Sequence, residues 1–334
     1  MLKYRAITFF VLAALLLTIP ALLSAQDDNV YADGLTNPRG LAFDSDGNLY
    51  VAEAGTAGSQ PTDTGDVFGA TSRITMIAPD GSSEVAVAGL TSYRQNNPLG
   101  ASGIEVTDES FWIVLGESQD FRLPFTSALI EIDRETGRVK TFVDLLTLEL
   151  TEDPDGNPNS ESNPIDLAVA DDGSVLIANA GCNCLMAWSA DAGLSVAVVW
   201  DFETDNPVPT AVEIGPDGDV YVSFLTGFPF PEGGSRVERW SDGELVETYP
   251  GLTAVTGLLV TDEGTVYASE YGVFDQGWQP GRVVMVSSDG ITPVLEGLTF
   301  PFGLAQAPDG TVVVATGAAT GEGTGQVLVV PTGM

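Results

Sequence analysis

Short apolar runs alternate along this chain with turns rich in Asp and Gly. One such unit, GLAFDSDGNLYVAEAG from Gly40, joins two β-rich runs through Asp44-Ser45-Asp46-Gly47. Asp-Gly between two such runs is typical of a β-hairpin turn, because Gly adopts φ > 0 without a steric penalty. The pattern predicts paired strands, and helical periods are rare.

The same unit occurs six times. The copies start at Gly40, Gly103, Asp166, Ala211, Gly257 and Gly303, with spacings of 63, 63, 45, 46 and 46 residues. A third and a fourth strand follow each copy, except that the chain ends before a fourth strand of the last copy. NVYADGL, residues 29–35, matches the fourth-strand pattern. The repeats therefore predict an all-β, six-bladed β-propeller with four strands per blade, its last blade closed by the N-terminal strand.

Asp44 and Asp46 also match the opening of a calcium loop. However, an Asp/Gly turn occupies the same place in five of the six copies. A hairpin turn must recur in this register, whereas a calcium loop need not. We therefore interpret the segment as a turn between two strands.

The first 25 residues have the pattern of a secretory signal peptide. Lys3 and Arg5 precede an apolar run, residues 6–19, and small residues from Ala21 to Ala25 lead to the expected cleavage point. An uncleaved membrane anchor is the alternative, although the apolar run is short for a spanning helix. We expect residues 26–334 to be exported as one propeller, extracellular or in the cell envelope or periplasm, without a membrane segment after cleavage.

The charge of the chain limits its partners. The full sequence has a formal net charge of −35 and no His. Such an acidic surface argues against nucleic-acid and anionic-membrane partners. The absence of His removes the commonest general base and metal ligand. We assign no catalytic residue, no required cofactor and a monomeric state, with an unknown small molecule or protein as the partner.

Four segments carry a resemblance to known propellers. They are LTNPRGLAFDSDGNLYVAEAG from Leu35, DPDGNPNSESNPIDLAV from Asp153, VPTAVEIGPDGDVYVSFLTGFPFPEGGSRVERW from Val208, and LTFPFGLAQAPDG from Leu298 with GEGTGQVLVV. The repeats resemble the NHL and SMP-30/gluconolactonase-like six-bladed propellers. More narrowly, the chain resembles the ScyD/ScyE-type proteins, named from gene clusters for the extracellular pigment scytonemin. That resemblance implies export and a propeller, and no known reaction.

The wider relatives include lactonases that hold a divalent ion with carboxylates and Asn at the top of the channel. The resemblance implies a ligand Glu immediately before the first strand of the first blade, where this chain has Arg39. At the later ligand positions it has Ile165-Asp166 and Thr210-Ala211, so only Asp166 matches. A metal-dependent (Ca, Mg or Zn) lactonase-like hydrolase at the channel mouth is therefore the alternative function.

We expect polar side chains to gather at one channel mouth, where strand ends and loops converge. Glu53, Asn179 and Glu270 fall at equivalent positions in three copies, and the full set of candidates is Arg39, Glu53, Glu117, Asp166, Asn179 and Glu270. Oxygen ligands suit a hard cation such as Ca²⁺, and Glu53, Asp166 and Glu270 are the candidate ligands. The alternative is a structural ion-pair cluster that includes Arg39.

Phe228 and Phe230 belong to an aromatic-proline loop in the fourth blade. They either cover the top of the blade or form a docking surface. With Phe300 and Phe302 near the same mouth, an aromatic, acidic mouth would suit a planar apolar or cationic small molecule.

Two further segments offer candidate chemistry. The run from Asp153 to Glu161 carries an acidic or amide oxygen at every second position, which indicates a calcium loop or a solvated loop. Cys182 and Cys184 are the only cysteines, so in an exported protein we expect them to form a disulfide with each other. Weak metal binding by the two thiolates is the alternative. Together these features predict an exported binding or scaffold module.

Overall fold

The computed structural model describes residues 29–62, 66–94, 98–117, 125–157, 161–203 and 206–332. Six antiparallel sheets surround a central channel, and each has four main strands. The predicted six-bladed β-propeller is confirmed. One short helix, α1 (Leu146–Glu152), lies between the second and third blades.

The first three blades follow one another along the chain. Blade 1 contains β2 (Pro38–Phe43), β3 (Leu49–Glu53), β5 (Val67–Ile77) and β6 (Ser83–Arg94), with the short β4 (Gln60–Pro61) and β7 (Pro98–Leu99) extending its outer ribbon. Blade 2 contains β8 (Ala101–Val106), β9 (Ser110–Leu115), β10 (Ala128–Asp133) and β11 (Val139–Asp144). Blade 3 contains β12 (Pro164–Val169), β13 (Val175–Asn179), β14 (Cys184–Ser189) and β15 (Gly193–Val199).

The remaining blades complete the ring. Blade 4 contains β16 (Pro209–Ile214), β17 (Val220–Phe224), β18 (Ser235–Ser241) and β19 (Glu244–Leu252). Blade 5 contains β20 (Val255–Val260), β21 (Val266–Glu270), β22 (Gly281–Ser287) and β23 (Gly290–Leu298). Blade 6 contains β24 (Leu304–Gln306), β25 (Val312–Thr316), β26 (Gly325–Val330) and β1 (Val30–Leu35).

The N-terminal strand closes the ring as predicted. β1 pairs antiparallel with β26, with Val30 opposite Leu328 and Leu35 opposite Gly325. The last blade is therefore built from both ends of the described chain. Such closure leaves the ring without an open gap between its first and last blades.

The first strands of the blades pack side by side around the channel. The closest approaches require small residues: a Cβ on Gly40 of β2 would lie 2.7 Å from the carbonyl oxygen of Ser102 in blade 2. Alternate residues of each first strand point away from the channel into the cores between blades. Ile104 and Leu258 are two of these, and both are buried. The channel wall is therefore made by every second residue of the first strands.

The Asp44–Gly47 segment is a hairpin turn, in agreement with the sequence. The Gly47 amide donates to the Asp44 carbonyl at 3.0 Å, and the Asp44 carboxylate accepts hydrogen bonds from Asn48, Tyr50 and Arg134. Burial raises the pKa of Asp44, but the bonds from Asn48, then Arg134 and Tyr50, outweigh it and hold that pKa below its usual value. This carboxylate stabilises the turn and its neighbours.

The predicted signal peptide, residues 1–25, lies outside the described residues. Within the part of the chain that the structure describes, no helix has the length and apolar character needed to cross a membrane. Helix α1 was not among the predicted elements, because a seven-residue helix spans too few turns to show a clear hydrophobic period.

Candidate functional site

The end of the ring where the first strands begin and the second strands end is called here the upper mouth. Glu53, at the end of β3, is fully buried there. Its carboxylate binds Arg73 of the neighbouring strand through two hydrogen bonds, of 2.7 and 3.0 Å, and accepts further bonds from Thr75 and from the Thr36 amide. Through the bond from the Thr36 amide, Glu53 stabilises the loop that leads into the first strand of its own blade.

Glu270 in blade 5 and Asn179 in blade 3 also accept a hydrogen bond from the loop before the first strand of their blade. Glu270 pairs with Arg282 and accepts the Thr253 amide at 2.6 Å. The Asn179 side-chain oxygen accepts the Asn163 amide at 2.8 Å. The three equivalent positions therefore share one structural role, which is to accept a backbone N–H from the loop before the first strand.

The carboxylates expected to bind a metal at this mouth are not gathered. Glu53, Asp166 and Glu270 have no set of oxygens that all lie within 4.8 Å of one another. Asp166 is in the channel wall, where it accepts the Val212 amide at 3.3 Å. Nor does Arg39 pair with Glu53 or Glu270, which bind Arg73 and Arg282 instead.

Arg39 lies at the upper mouth, in β2, and is only 7% exposed. One guanidinium nitrogen donates to the Pro98 carbonyl at 2.7 Å, and another is 3.5 Å from the Ser102 hydroxyl. The guanidinium also lies over the Phe302 ring, 5.2 Å from its centroid. Its Nε has no hydrogen-bond partner, and no carboxylate among the described residues forms an ion pair with it. Burial lowers the pKa of Arg39, with Tyr271 acting in the opposite sense.

Aromatic rings cluster in the loops of blades 4 and 5 and in the loop before β24. Tyr271 stacks on Phe300, with centroids 5.1 Å apart and planes inclined by 22°, and its other side meets Trp278 at 4.9 Å. Six rings form this aromatic rim: Phe228, Phe230, Tyr271, Phe274, Trp278 and Phe300. Burial raises the pKa of Tyr271 to about 12, an effect that Arg39 opposes, so the phenol stays neutral.

The two phenylalanines of blade 4 behave differently. Phe230 packs against Trp278 at 4.9 Å and Phe274 at 5.7 Å, so it covers the blade 5 loop. Phe228 is 76% exposed. The loop therefore combines the two predicted possibilities, with one ring packed as a cover and one ring presented to solvent.

The channel itself carries three carboxyl groups, two of which were not predicted. Glu105 of β8, Asp166 of β12 and Glu213 of β16 line a narrow cavity of about 30 Å³. Towards the lower mouth, where the first strands end, Glu105 and Glu213 also line a wider cavity of about 470 Å³. The signal in the sequence was a Glu at the channel-facing position of GIEV and AVEI.

These carboxyls hold their protons more tightly than usual. Burial, reinforced by Asp166, raises the pKa of Glu105 to about 8, and burial raises that of Asp166 to about 7. The pKa of Glu213 is also raised, by burial and then by the other two groups. All three keep partial solvent contact in the channel despite their depth in the ring. Near neutral pH these three carboxyls are therefore partly protonated, and the channel carries less negative charge than three ionised carboxylates would give it.

Three other predicted residues, Glu117 and the two cysteines, lie outside this arrangement. Glu117 follows β9 and is half-buried, and its backbone amide donates to the Asn163 side chain at 3.1 Å. Cys182 and Cys184 form the predicted disulfide and are both buried, with their Cα atoms 5.2 Å apart. The residue between them, Asn183, donates to Asp155 at 2.8 Å.

A third group of carboxyls lies at the end of α1, away from the channel. Glu149, Asp153 and Asp155 each place a carboxylate oxygen within 4.8 Å of the others. Asp153 and Asp155 belong to the predicted oxygen-rich loop, of which residues 158–160 lie outside the described chain. Burial, then Asp155 and Asp153, raises the pKa of Glu149 to about 7, partly offset by the Glu161 amide. Sequence reasoning missed Glu149, since it precedes the loop and belongs to a helix.

Comparison with known proteins identifies the fold. No protein-family model matches the chain, and no curated protein sequence matches it. Among solved structures, a gluconolactonase from Xanthomonas campestris matches with a TM-score of 0.57 and 14% identity, covering 90% of this chain and 89% of its own. The calcium-binding protein regucalcin from Agrobacterium tumefaciens gives 0.54 and 14%, covering 90% and 94%. A streptogramin B lyase gives 0.52 and 12%, covering 90% and 96%.

These likenesses confirm the predicted resemblance to SMP-30/gluconolactonase-like propellers at the level of the fold. Proteins with different named activities share this architecture at similar TM-scores. A common propeller does not specify a reaction, because function resides in the site carried by the fold.

Proposed function

We propose that this protein is an exported binding module of the ScyD/ScyE type whose upper mouth holds a planar aromatic small molecule with a negatively charged group. The observation that carries the proposal is the buried, unpaired guanidinium of Arg39 beside the aromatic rim. The proposal includes export and a monomeric state, which rest on the apolar N-terminal segment and on the closed ring.

The state of Arg39 favours an anionic ligand. A buried charge without an ionic partner is unfavourable, and an anion that approached it would offset that penalty. A guanidinium is planar and presents several donors at once, which suits carboxylate, sulfonate or phenolate oxygens. The Nε supplies a donor that no group of the described residues accepts.

The aromatic rim favours a flat ligand. Stacked and edge-on rings give a large apolar surface that loses little conformational entropy when a second ring packs on it. Phe228, Tyr271 and Phe300 belong to one connected set of rings, and Tyr271 is close enough to Arg39 for the two to interact electrostatically. A planar molecule packed on Tyr271 would place an acidic substituent towards the guanidinium.

The sign of the ligand charge differs from the sequence-based expectation. A planar apolar or cationic ligand was expected because the mouth was expected to be aromatic and acidic. However, Glu53 and Glu270 are paired with Arg73 and Arg282, whereas the buried guanidinium of Arg39 has no ionic partner among the described residues. At physiological ionic strength the distant surface carboxylates are screened beyond about 8 Å.

The hydrolase alternative draws less support from the residues. Metal-assisted hydrolysis needs ligands that converge on one ion and leave a coordination position open for water. The carboxylates expected at the upper mouth are bonded within separate blades, and Arg39 stands where the resemblance implied a ligand Glu. The likeness to a gluconolactonase is one of fold alone, so we do not transfer that activity.

The test is a comparison of ring-matched ligands of opposite charge. Titration calorimetry of the mature chain with indoleacetate and with tryptamine measures the preference for an anion on the same indole ring. We expect tighter binding of indoleacetate, and loss of the preference in Arg39→Met.

Arg138→Met is the matched control, because it removes one exposed arginine from the outer hairpin of blade 2. It should bind as the wild type does. Equal or tighter binding of tryptamine by the wild type would overturn the proposal, and so would an unchanged preference in Arg39→Met.

A further inference from the structure

We propose that Glu149, Asp153 and Asp155 form a binding site for one divalent cation of the calcium class at the carboxyl end of α1. The site lies at the upper end of the ring, between the segment that leads into β12 and the loop after β13, and it shares no residue with Arg39 or the aromatic rim. It stands independently of the proposed function.

The backbone brings the three carboxylates together. Glu149 and Asp153 are four residues apart, so they lie on the same side of the helix end. Asp153 caps the helix in the left-handed conformation, φ 44° and ψ 66°, and its amide donates to the Glu149 carbonyl. The chain then turns through Gly156, whose amide is 3.4 Å from the Asp153 carbonyl. As a result, an oxygen of each residue lies within 4.8 Å of the others.

The surroundings of Glu149 are a second observation, separate from the clustering of the carboxylates, that indicates a bound cation. Its side chain is 0% exposed, and neither carboxyl oxygen has a well-formed hydrogen bond with a described residue, although the nearby Glu161 amide offsets part of the effect of burial. None of the three carboxylates forms an ion pair with a Lys or Arg of the described residues. Buried polar groups in native proteins are nearly always satisfied. A bound cation would satisfy both the orphan oxygens and the repulsion among the carboxylates.

Asp155 is held in place by blade 3. One of its oxygens accepts the Asn157 amide at 3.0 Å, and the other accepts the Asn183 side chain at 2.8 Å. Asn183 lies between the two bonded cysteines, and its own side-chain oxygen accepts the Val208 amide at 2.9 Å. Asn183 is therefore a positioning residue, and the disulfide loop orients one ligand of the site.

The donor set determines the class of ion. All three ligands are carboxylates, which favour hard cations over the softer ions that thiolate and imidazole select. Ca²⁺ accepts irregular sets of six to eight oxygens, including carbonyls and water, whereas Mg²⁺ demands near-ideal octahedral geometry. The negative end of the α1 dipole adds to the attraction. A loop-borne, partly exposed site of this kind suits Ca²⁺ better than Mg²⁺.

The experiment is thermal unfolding and calorimetric titration of the EDTA-treated mature chain with CaCl₂ and MgCl₂. A ligand that binds only the folded state raises the melting temperature as its concentration rises. We expect Ca²⁺ to raise it more than Mg²⁺ does. Glu149→Gln, which keeps the shape and removes the charge, should weaken Ca²⁺ binding by more than about tenfold, and Asn183→Ala by about tenfold.

Asp171→Asn is the matched control, since it removes one exposed carboxylate from a hairpin of the same blade. It should retain the wild-type calcium response. If Glu149→Gln does not fold, Asp153→Asn tests the same site at an exposed ligand. No calcium response in the wild type, or an equal response in the wild type and the ligand variants, would overturn the proposal.

Discussion

Glu53 and Arg39 are both buried charges at the upper mouth of one blade, yet their surroundings are opposite. Glu53 is fully enclosed and receives two hydrogen bonds from Arg73, in addition to those from Thr75 and the Thr36 amide. Arg39 is almost as deeply buried, but it forms no ion pair with any described residue. Its Nε also has no hydrogen-bond acceptor among those residues. The charge of Glu53 is balanced by Arg73 within the fold. The charge of Arg39 is not balanced by a described residue, and we propose that a ligand balances it.

The same distinction separates other charged residues of the ring. Glu270 resembles Glu53, because Arg282 and a loop amide satisfy it. Glu105 and Glu213 resemble Arg39, because they face the channel without a cationic partner among the described residues. A buried charge is therefore informative about function only after its partners have been counted. The predictions below test this division in order of decreasing effect.

The largest effect should come from Glu53→Gln. Gln replaces one acceptor oxygen with an NH₂ group that faces the Arg73 and Thr36 donors, and it removes the charge that balances Arg73. We expect a loss of about 2 to 3 kcal/mol in the free energy of unfolding, measured by urea denaturation. Glu84→Gln, an exposed position of the same blade, should change it by less than about 0.5 kcal/mol. If Glu53→Gln were as stable as the wild type, the bonds of Glu53 would not stabilise the fold, and Glu53 would be a candidate for ligand binding.

Arg39→Met should show the converse pattern. Removing a buried charge without an ionic partner leaves behind only the Pro98 carbonyl that accepted its hydrogen bond, so we expect the free energy of unfolding to change by less than about 1 kcal/mol. Affinity for indoleacetate should fall by about 30-fold, as expected for loss of a central Arg anchor. Denaturation and calorimetry on the same sample check both parts. If Arg39→Met were destabilised as much as Glu53→Gln, Arg39 would have a structural role like that of Glu53.

The channel carboxyls predict a pH dependence of known sign. The pKa of Glu105 is raised to about 8 in the fold. The folded state therefore binds more protons than the unfolded state between the ordinary Glu pKa and about 8, and stability must fall as pH rises through that window. Because Glu105 keeps some solvent contact, we expect Glu105→Gln to gain about 1 kcal/mol over the wild type at pH 8.5 and little at pH 4.

Melting temperatures across that pH range provide the measurement. Glu135→Gln, an exposed position of the same blade, is the control and should follow the wild-type profile. Parallel profiles for Glu105→Gln and the wild type would contradict the assignment of a proton to the channel.

The smallest effect on stability should come from Phe228→Ala. Its ring is 76% exposed, so we expect a change below about 0.5 kcal/mol in the free energy of unfolding. Phe230→Ala should cost more, because that ring packs on Phe274 and Trp278. Both variants should weaken indoleacetate binding, measured by calorimetry. Unchanged affinity in both would remove the aromatic rim from the binding site.

Much of the fold was predictable because its determinants are local and repeated. The hairpin turn at Asp44–Gly47 depends on residues within one short segment, and its recurrence fixed the blade count. Closure by residues 29–35 was predictable because that segment completes an unfinished repeat. By contrast, the pairing of Glu53 with Arg73 rather than Arg39 was not, since both arginines were available and only blade packing selects between them.

Sequence patterns alone predicted the six blades and the closing strand, and they favoured the bond between Cys182 and Cys184 that the structure contains. Only the packing of the blades decided which charges are paired: Arg39 and Glu149 have no ionic partner among the described residues, whereas Glu53 and Glu270 are bonded to Arg73 and Arg282. It also brought Glu105 and Glu213 to one channel from different blades. The physical reason is that strand patterns are set by neighbours along the chain, whereas the environment of a buried charge is set by groups that are distant in sequence and close in space.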